Sequence, residues 1–263
     1  MKPQPRTSPP LVLLTALSMA LAAAAGLVFS PWRYPTDALR SAFVPNDAVT
    51  LVVGLPAVLG GLWLDRRGHR FGRWLLPGAL LYGIYNAVAV VVGLALAVWS
   101  WPDLVVVVLS GLVLVRSFGR ADAPPSAPGA LRRVIAGILI GLGGLFLTRA
   151  VGLLLGALSG TAPLNAPELG VAVADLIVTP LWLIAGLALW RGGARGLALG
   201  PAVFVQANLL FVGLLAVLVI QPMFTGEPFG VADFVVILTM GCVCFIPFGW
   251  FIATADGGPR PAA

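Results

Sequence analysis

The chain is a succession of long apolar runs separated by short polar intervals. An apolar stretch of about 20 residues is long enough for an α-helix to cross the hydrocarbon core of a bilayer. Eight runs are read as spans: Leu11–Phe29, Asp47–Leu64, Trp74–Trp99, Asp103–Phe118, Val134–Leu158, Leu169–Trp190, Leu197–Ile220 and Val231–Thr254. The fourth has the shortest unbroken apolar core and reaches a full crossing only if Arg116 snorkels to the interface. A seven-span alternative makes that segment re-entrant. The first follows Lys2 and Arg6 and passes through Ala22–Ala25, the outline of a cleavable signal peptide. Because the run continues through Gly26, Leu27, Val28 and Phe29, longer than a typical signal core, a retained anchor is expected.

Composition agrees with this pattern. The chain is 59% hydrophobic and 10% charged, with a mean hydropathy of +1.00. A soluble domain carries roughly 25% charged residues, so this one cannot clothe itself in polar surface. The expectation is an all-α integral membrane protein: one polytopic helical bundle over residues 1–263 with no extramembrane domain. Residues 119–133 form a cytoplasmic linker, with Ala121–Gly129 (ADAPPSAPG) its flexible centre. The linker divides the spans into two sets of four.

A net charge of +6 and a pI near 10.3 invite a nucleic-acid reading. The basic residues lie instead in short loops beside apolar runs, as the positive-inside rule requires, and no nucleic-acid partner is expected. With the N-terminus in the cytoplasm, thirteen basic residues fall inside: Lys2, Arg6, Arg66, Arg67, Arg70, Arg73, Arg116, Arg120, Arg132, Arg133, Arg191, Arg195 and Arg260. Two, Arg33 and Arg40, fall outside. Both termini are then cytoplasmic. All basic residues but Lys2 are arginine, which with the abundant Ala, Gly and Pro suggests a GC-rich bacterial genome and an inner-membrane location. Trp32, Tyr34, Trp99 and Trp101 sit where aromatic belts belong.

The two halves carry a weak internal likeness. GLPAVLGGLWLDRRGHRFG and TPLWLIAGLALWRGGARG each place a proline (Pro56, Pro180) ten or eleven residues before an arginine (Arg66, Arg191) in a Gly-Arg loop. Four spans per half would make a parallel 4+4 repeat, as in some transporters.

Arg149 interrupts the apolar run Ile135–Leu158. An arginine near a bilayer centre costs at least ~2.5–3.5 kcal/mol on insertion scales, so it should face protein or water and have a partner. It lies nine residues from the outer end of span five, roughly 13 Å deep, and Asp175 lies roughly 9 Å deep in span six. A short loop joins these spans, so Arg149–Asp175 is the expected ion pair, and Asp175→Asn is expected to destabilise the fold. Gly152 and Gly156, on the Arg149 face, should admit a close neighbour, and Gly137/Gly141 is a second small-residue packing signal.

Of the other acidic residues, Asp65, Asp122 and Asp256 are cytoplasmic, and Asp37, Asp47, Asp103, Glu168, Glu227 and Asp233 crowd the outer side. Asp47, Asp103 and Asp233 read as helix N-terminal residues, favoured there by the dipole and free N–H groups. Tyr82, Tyr85 and Asn86 share a face of span three, and Gln206 and Asn208 lie in span seven on different faces. A polar site open to the outside is read from Arg149, Asp175, Tyr82, Asn86 and Asn208. The competing reading makes each an inter-helix packing bond worth about 0.6 kcal/mol.

Cys242 and Cys244 point to opposite helix faces and read as small core residues. His69, the single histidine, sits in the DRRGHRFGR loop, so no histidine-based metal cluster or triad can assemble. No cofactor, metal or catalytic motif is expected.

Two segments together, NDAVTLVVGLPAVLGGLWLDRRG (Asn46–Gly68) and ADLIVTPLWLIAGLALWRGGARG (Ala174–Gly196), resemble a broad group of bacterial multi-pass proteins. That group has an early ND…GLP…RRG segment and a later DL…P…AG…L.RR segment. LYGIYNAVAVVVG (Leu81–Gly93) is similar to its tyrosine-rich helix. The chain departs from the group where Gly192 follows Arg191. The resemblance implies no activity; it places Asp47, Pro56, Asp175 and Pro180 at motif positions.

Three functions remain. A transporter-like protein would bind a small polar or anionic solute at Arg149. An accessory or sensor subunit, or a homo-oligomer, would dock a membrane-protein partner on its Gly-rich faces. A metal-dependent membrane enzyme would use the acidic outer rim, although no close pair of ligands is visible in the spacing. The first is ranked highest, the enzyme last, and the lipid bilayer is the common partner of all three.

Overall fold

The structure, a computed structural model, describes residues 8–118, 129–226 and 228–255. Most of the linker, 119–128, and the charges Lys2, Arg6, Arg120, Asp122, Glu227, Asp256 and Arg260 lie outside the described residues.

The described residues form ten α-helices: α1 (Pro9–Val28), α2 (Ser30–Arg33), α3 (Asp37–Val49), α4 (Leu55–Arg66), α5 (Gly72–Gly93), α6 (Trp101–Phe118), α7 (Gly129–Leu158), α8 (Ala166–Trp190), α9 (Ala194–Thr225) and α10 (Val231–Ala255). They contain eight stretches long and apolar enough to cross a membrane. The fourth, Val98–Ser117, is 20 residues of helix, long and apolar enough for a full crossing. The all-α polytopic bundle expected from the apolar runs is therefore what the chain forms.

The second span departs most from its expected form. Helix begins at Asp37, ten residues before the apolar run, and continues to Arg66 as one 30-residue span. Its first turn is capped by Thr36, whose hydroxyl accepts from the Leu39 amide at 3.2 Å. Between α3 and α4 a π-helical turn, Thr50–Gly54, carries the chain through, with the Leu55 amide donating to the Thr50 carbonyl. Pro56 follows at once. It has no N–H to offer the preceding turn, and local widening of this kind is how membrane helices re-satisfy backbone groups that a proline frees. Asp47 is consequently in the body of a helix and caps nothing.

The third span stops short of its expected end. α5 closes at Gly93 in a Schellman arrangement: the Leu96 amide donates to the Val91 carbonyl at 3.1 Å, and that of Ala95 to Val92 at 2.9 Å. Ala95 and Leu96 take φ of 50° and 57°, conformations glycine would adopt with less strain. α8 starts earlier than the apolar run, at a capping box. The Asn165 side chain accepts from the Glu168 amide and the Glu168 carboxylate from that of Asn165.

α5 is the most enclosed helix, packed on α4, α6, α8 and α9. α7 and α10 are peripheral and turn Leu145, Val151, Leu155, Val235, Val236 and Ile246 outward, as lipid-facing helices do. The eight spans alternate, so residues 29–36, 94–100, 159–165, 226 and 228–230 share one end of the bundle. The loops 67–71 and 191–193 share the other. α7 meets α8 through Gly143, close to Trp182 and Leu183, and through Gly186, where an added Cβ would lie 3.0 Å from the Ala136 carbonyl. The expected small-residue contacts fall elsewhere: Gly141 and Gly152 face open space, Gly137 only grazes Trp190, and Gly156 meets the following loop at Ala162. The buried stripe of α7 is Ile135, Ala136, Leu139, Gly143 and Ala150, and those four glycines lie off it.

Candidate functional site

A cavity of about 390 Å³ lies between α3, α5, α7, α8, α9 and α10. Its walls are largely rings and aliphatic chains: Phe43, Phe146, Trp182, Phe211, Leu214 and Val217. Several of its polar groups are bonded together. Asp175, buried on α8, is the centre of that cluster. Its Oδ2 receives Arg149 Nη1 at 3.2 Å and its Oδ1 receives the Tyr85 hydroxyl at 2.8 Å. One turn on, the Thr179 hydroxyl donates to the Asp175 carbonyl at 2.8 Å, which ties it to the backbone. Arg149 reaches Asp175 because α7 and α8 run antiparallel across a tight turn and place both residues nine positions from it.

The pair is unequal. The Asp175 side chain is 6% exposed and that of Arg149 50%. A guanidinium has five N–H donors, and Arg149 makes one hydrogen bond among the described residues. The rest of the fork has no partner among the described residues, and Arg149 lines the cavity.

Of the five residues expected to form the site, Arg149, Asp175, Tyr82 and Asn86 line the cavity. Asn208 does not. It is buried on α9 and donates to the Phe204 carbonyl of its own helix at 2.7 Å. Gln206 is likewise buried and accepts from Trp182 Nε1 at 2.6 Å, so it orients one of the cavity rings without entering the cavity. Tyr82 stands in a slot between two glycines. A Cβ at Gly54 would lie 3.0 Å from its ring, and one at Gly213 2.5 Å from its hydroxyl. Asn86 donates to the Tyr82 carbonyl at 2.9 Å. Tyr85, rather than Tyr82, holds Asp175. Their shared helix face was readable in the sequence, but the helix to which each hydroxyl turns was not.

A second polar centre, not foreseen, lies where α1, α2, α3 and α6 meet. Arg33, read as a loop charge, is buried and pairs with Asp103. Its Nη1 also donates to the Ala22 carbonyl at 2.7 Å. Tyr34, read as a belt residue, is fully buried and donates to Asp47 Oδ2 at 2.7 Å. Burial is the largest influence on Arg33 and works against its charge, but Asp103, Tyr34 and Asp47 together outweigh it, and the guanidinium holds its proton more firmly than usual. Burial, then the nearby Asp47, pushes the Tyr34 phenol well above its ordinary value. α1 can approach Asp47 only because residue 26 is glycine: a Cβ there would lie 1.6 Å from Asp47 Oδ2.

Beside this centre is a small cavity of about 20 Å³, room for about one water. Asn46 and Asn86 line both cavities and form the polar wall between them. Among the described residues, no three His, Cys, Asp or Glu side chains come together in a way that could hold a metal ion.

Fold and site together define a polytopic helical membrane protein with a ring-lined cavity and, on its wall, an ion pair whose carboxylate is buried. No protein-family model matches the chain, and no curated protein or solved structure does either.

Proposed function

We propose that this chain is a solute-binding membrane protein of the transporter kind, with the cavity around Arg149 and Asp175 as its site. The observation that carries the reading is the half-exposed Arg149 on the wall of a cavity of ligand size. An intramembrane charge is costly, and a purely structural pair would do best with both partners covered. Asp175 is covered and Arg149 is not. Five of the six helices bordering the cavity contain an interior proline, Pro45 in α3, Pro77 in α5, Pro180 in α8, Pro201 and Pro222 in α9 and Pro247 in α10, where a helix bends most readily.

The end carrying Arg66, Arg67, Arg70, Arg73, Arg132, Arg133 and Arg191 is taken as cytoplasmic, by the positive-inside rule. The cavity then lies in the outer half of a bacterial inner membrane, with both termini inside.

The test is the melting temperature of purified wild type and Arg149→Gln against a panel of small carboxylates, phosphates and sulfonates. A shift in wild type that the variant loses is expected. If Arg149→Gln melts far below wild type and no solute moves either protein, the pair is structural.

That outcome favours a second reading, a subunit docking another membrane protein. The exposed α7 face at Gly141 and Gly152, where nothing lies within 4 Å of an added Cβ, supports it. A stable hetero-complex on mild extraction would be its signature.

A further inference from the structure

We propose that the ligand of this cavity is an amphipathic anion, its apolar body on the ring-lined wall and its head on Arg149, and that Asp175 takes up one proton as it binds. The proposal rests on the solute-binding reading and names its ligand class.

The first observation is the wall. Phe43, Phe146, Trp182 and Phe211 offer rings, and Leu214 and Val217 complete an apolar surface. A fully hydrophilic ion would surrender its hydration here against walls that are largely apolar. A volume of about 390 Å³ falls in the range of pockets that enclose drug-sized molecules, ~300–1,000 Å³. It is far larger than one inorganic ion requires. A molecule with a hydrocarbon or aromatic body and one polar head matches both surfaces.

The second observation sets the sign of the head. Arg149 is the cationic side chain lining the cavity. Its unused N–H groups form a planar fork suited to carboxylate, sulfonate or phosphate oxygens. Asp175 is already occupied on both oxygens, by Arg149 and Tyr85.

The third observation is charge balance. Arg149 and Asp175 together are neutral, and an arriving anion leaves an uncompensated negative charge in a largely apolar cavity, where charges interact more strongly than in water. A proton on Asp175 restores neutrality. The groups facing Asp175 make it the acceptor. α7 brings Arg149, which stays charged, and α5 brings Tyr85 and Tyr82. α3 brings the neutral Asn46, while α9 and α10 bring no titratable group to the cavity. The Tyr85 hydroxyl both donates and accepts, so it remains a partner for the protonated acid. The proton comes from water, and one anion and one proton bind together.

The test uses the full chain in phosphatidylcholine nanodiscs, titrated calorimetrically with octanesulfonate, which stays ionised across the working pH range. Methanesulfonate, 1-octanol and octyltrimethylammonium are the comparison probes. Octanesulfonate is expected to bind at least tenfold more tightly than any of the three, with uptake of one proton measured in buffers of different ionisation enthalpy. Its Kd should weaken about tenfold per pH unit through the range where uptake is seen. Asp175→Asn should bind it without pH dependence, and Arg149→Gln should not bind it. Val178→Phe, which fills the cavity from a buried lining position and keeps the ion pair, should also lose binding and guards against misfolding of the arginine variant.

Methanesulfonate binding as tightly as octanesulfonate would overturn the amphipathic ligand while leaving the solute-binding reading intact. A pH-independent wild type would overturn the proton. Equal binding of the alcohol or the ammonium compound, or binding that survives Val178→Phe, would overturn anion recognition at this site. If no probe binds, but a small anion shifts the melting of wild type and not of Arg149→Gln, only the ligand class falls.

Discussion

Arg33 and Arg149 are each held by a carboxylate inside the bundle, and they are held differently. Arg33 is 1% exposed, with Asp103 as its charged partner and the Ala22 carbonyl as a second acceptor. Removing one partner of a buried pair strands the other and costs ~3–5 kcal/mol. Asp103→Asn is therefore expected to lower the melting temperature steeply. Asp175→Asn should lower it by a fraction of that, because Arg149 can turn its exposed half toward the cavity. Parallel melts of the two variants check the order, and a larger drop for Asp175→Asn would contradict the account of Arg149 as a partly free cation. Asp37, exposed and paired only with Arg40, is the control: Asp37→Asn should melt like wild type.

Among the helices, glycine matters where two backbones touch and not where it is merely frequent. At Gly170 a Cβ would lie 2.2 Å from the Ala89 carbonyl, so α8 crosses α5 almost backbone to backbone beside the cavity. Gly170→Ala must push these helices apart, at a cost of ~1–3 kcal/mol for overpacking. Gly152, with nothing near it, sits in the interior of α7, where alanine is preferred over glycine by ~0.8–1.0 kcal/mol in soluble helices. Gly152→Ala should therefore melt no lower than wild type, and Gly170→Ala well below it. Equal losses would mean that the α7 face is covered by a partner, the result the subunit reading requires.

Over the whole molecule, the two ends differ in charge and the cavity lies nearer the end with fewer arginines. Orientation is testable in a background lacking Cys242 and Cys244, with single cysteines placed at exposed positions of opposite ends. In intact cells, Thr161→Cys should react with a membrane-impermeant maleimide and His69→Cys should not. The reverse would turn the protein over and place the cavity on the cytoplasmic side.

Much of this was decided by the sequence alone, because hydrophobicity accumulates along the chain. Eight apolar runs announce eight crossings, and loop arginines suggest an orientation without any knowledge of packing. Arg149 and Asp175 were legible as a pair because a short turn between spans sets both at a known depth. Tertiary structure decided what depends on direction around a helix axis and on distant segments. It turned Tyr85 rather than Tyr82 toward Asp175, left Asn208 bonded to its own helix, and set Gly143 rather than Gly152 against α8. It also drew the segment before the second apolar run into helix, which buried Arg33 against Asp103 and Tyr34 against Asp47. Those partners are 70 and 13 residues apart, and a polar residue beside an apolar run looks the same in sequence whether it faces water or a buried carboxylate.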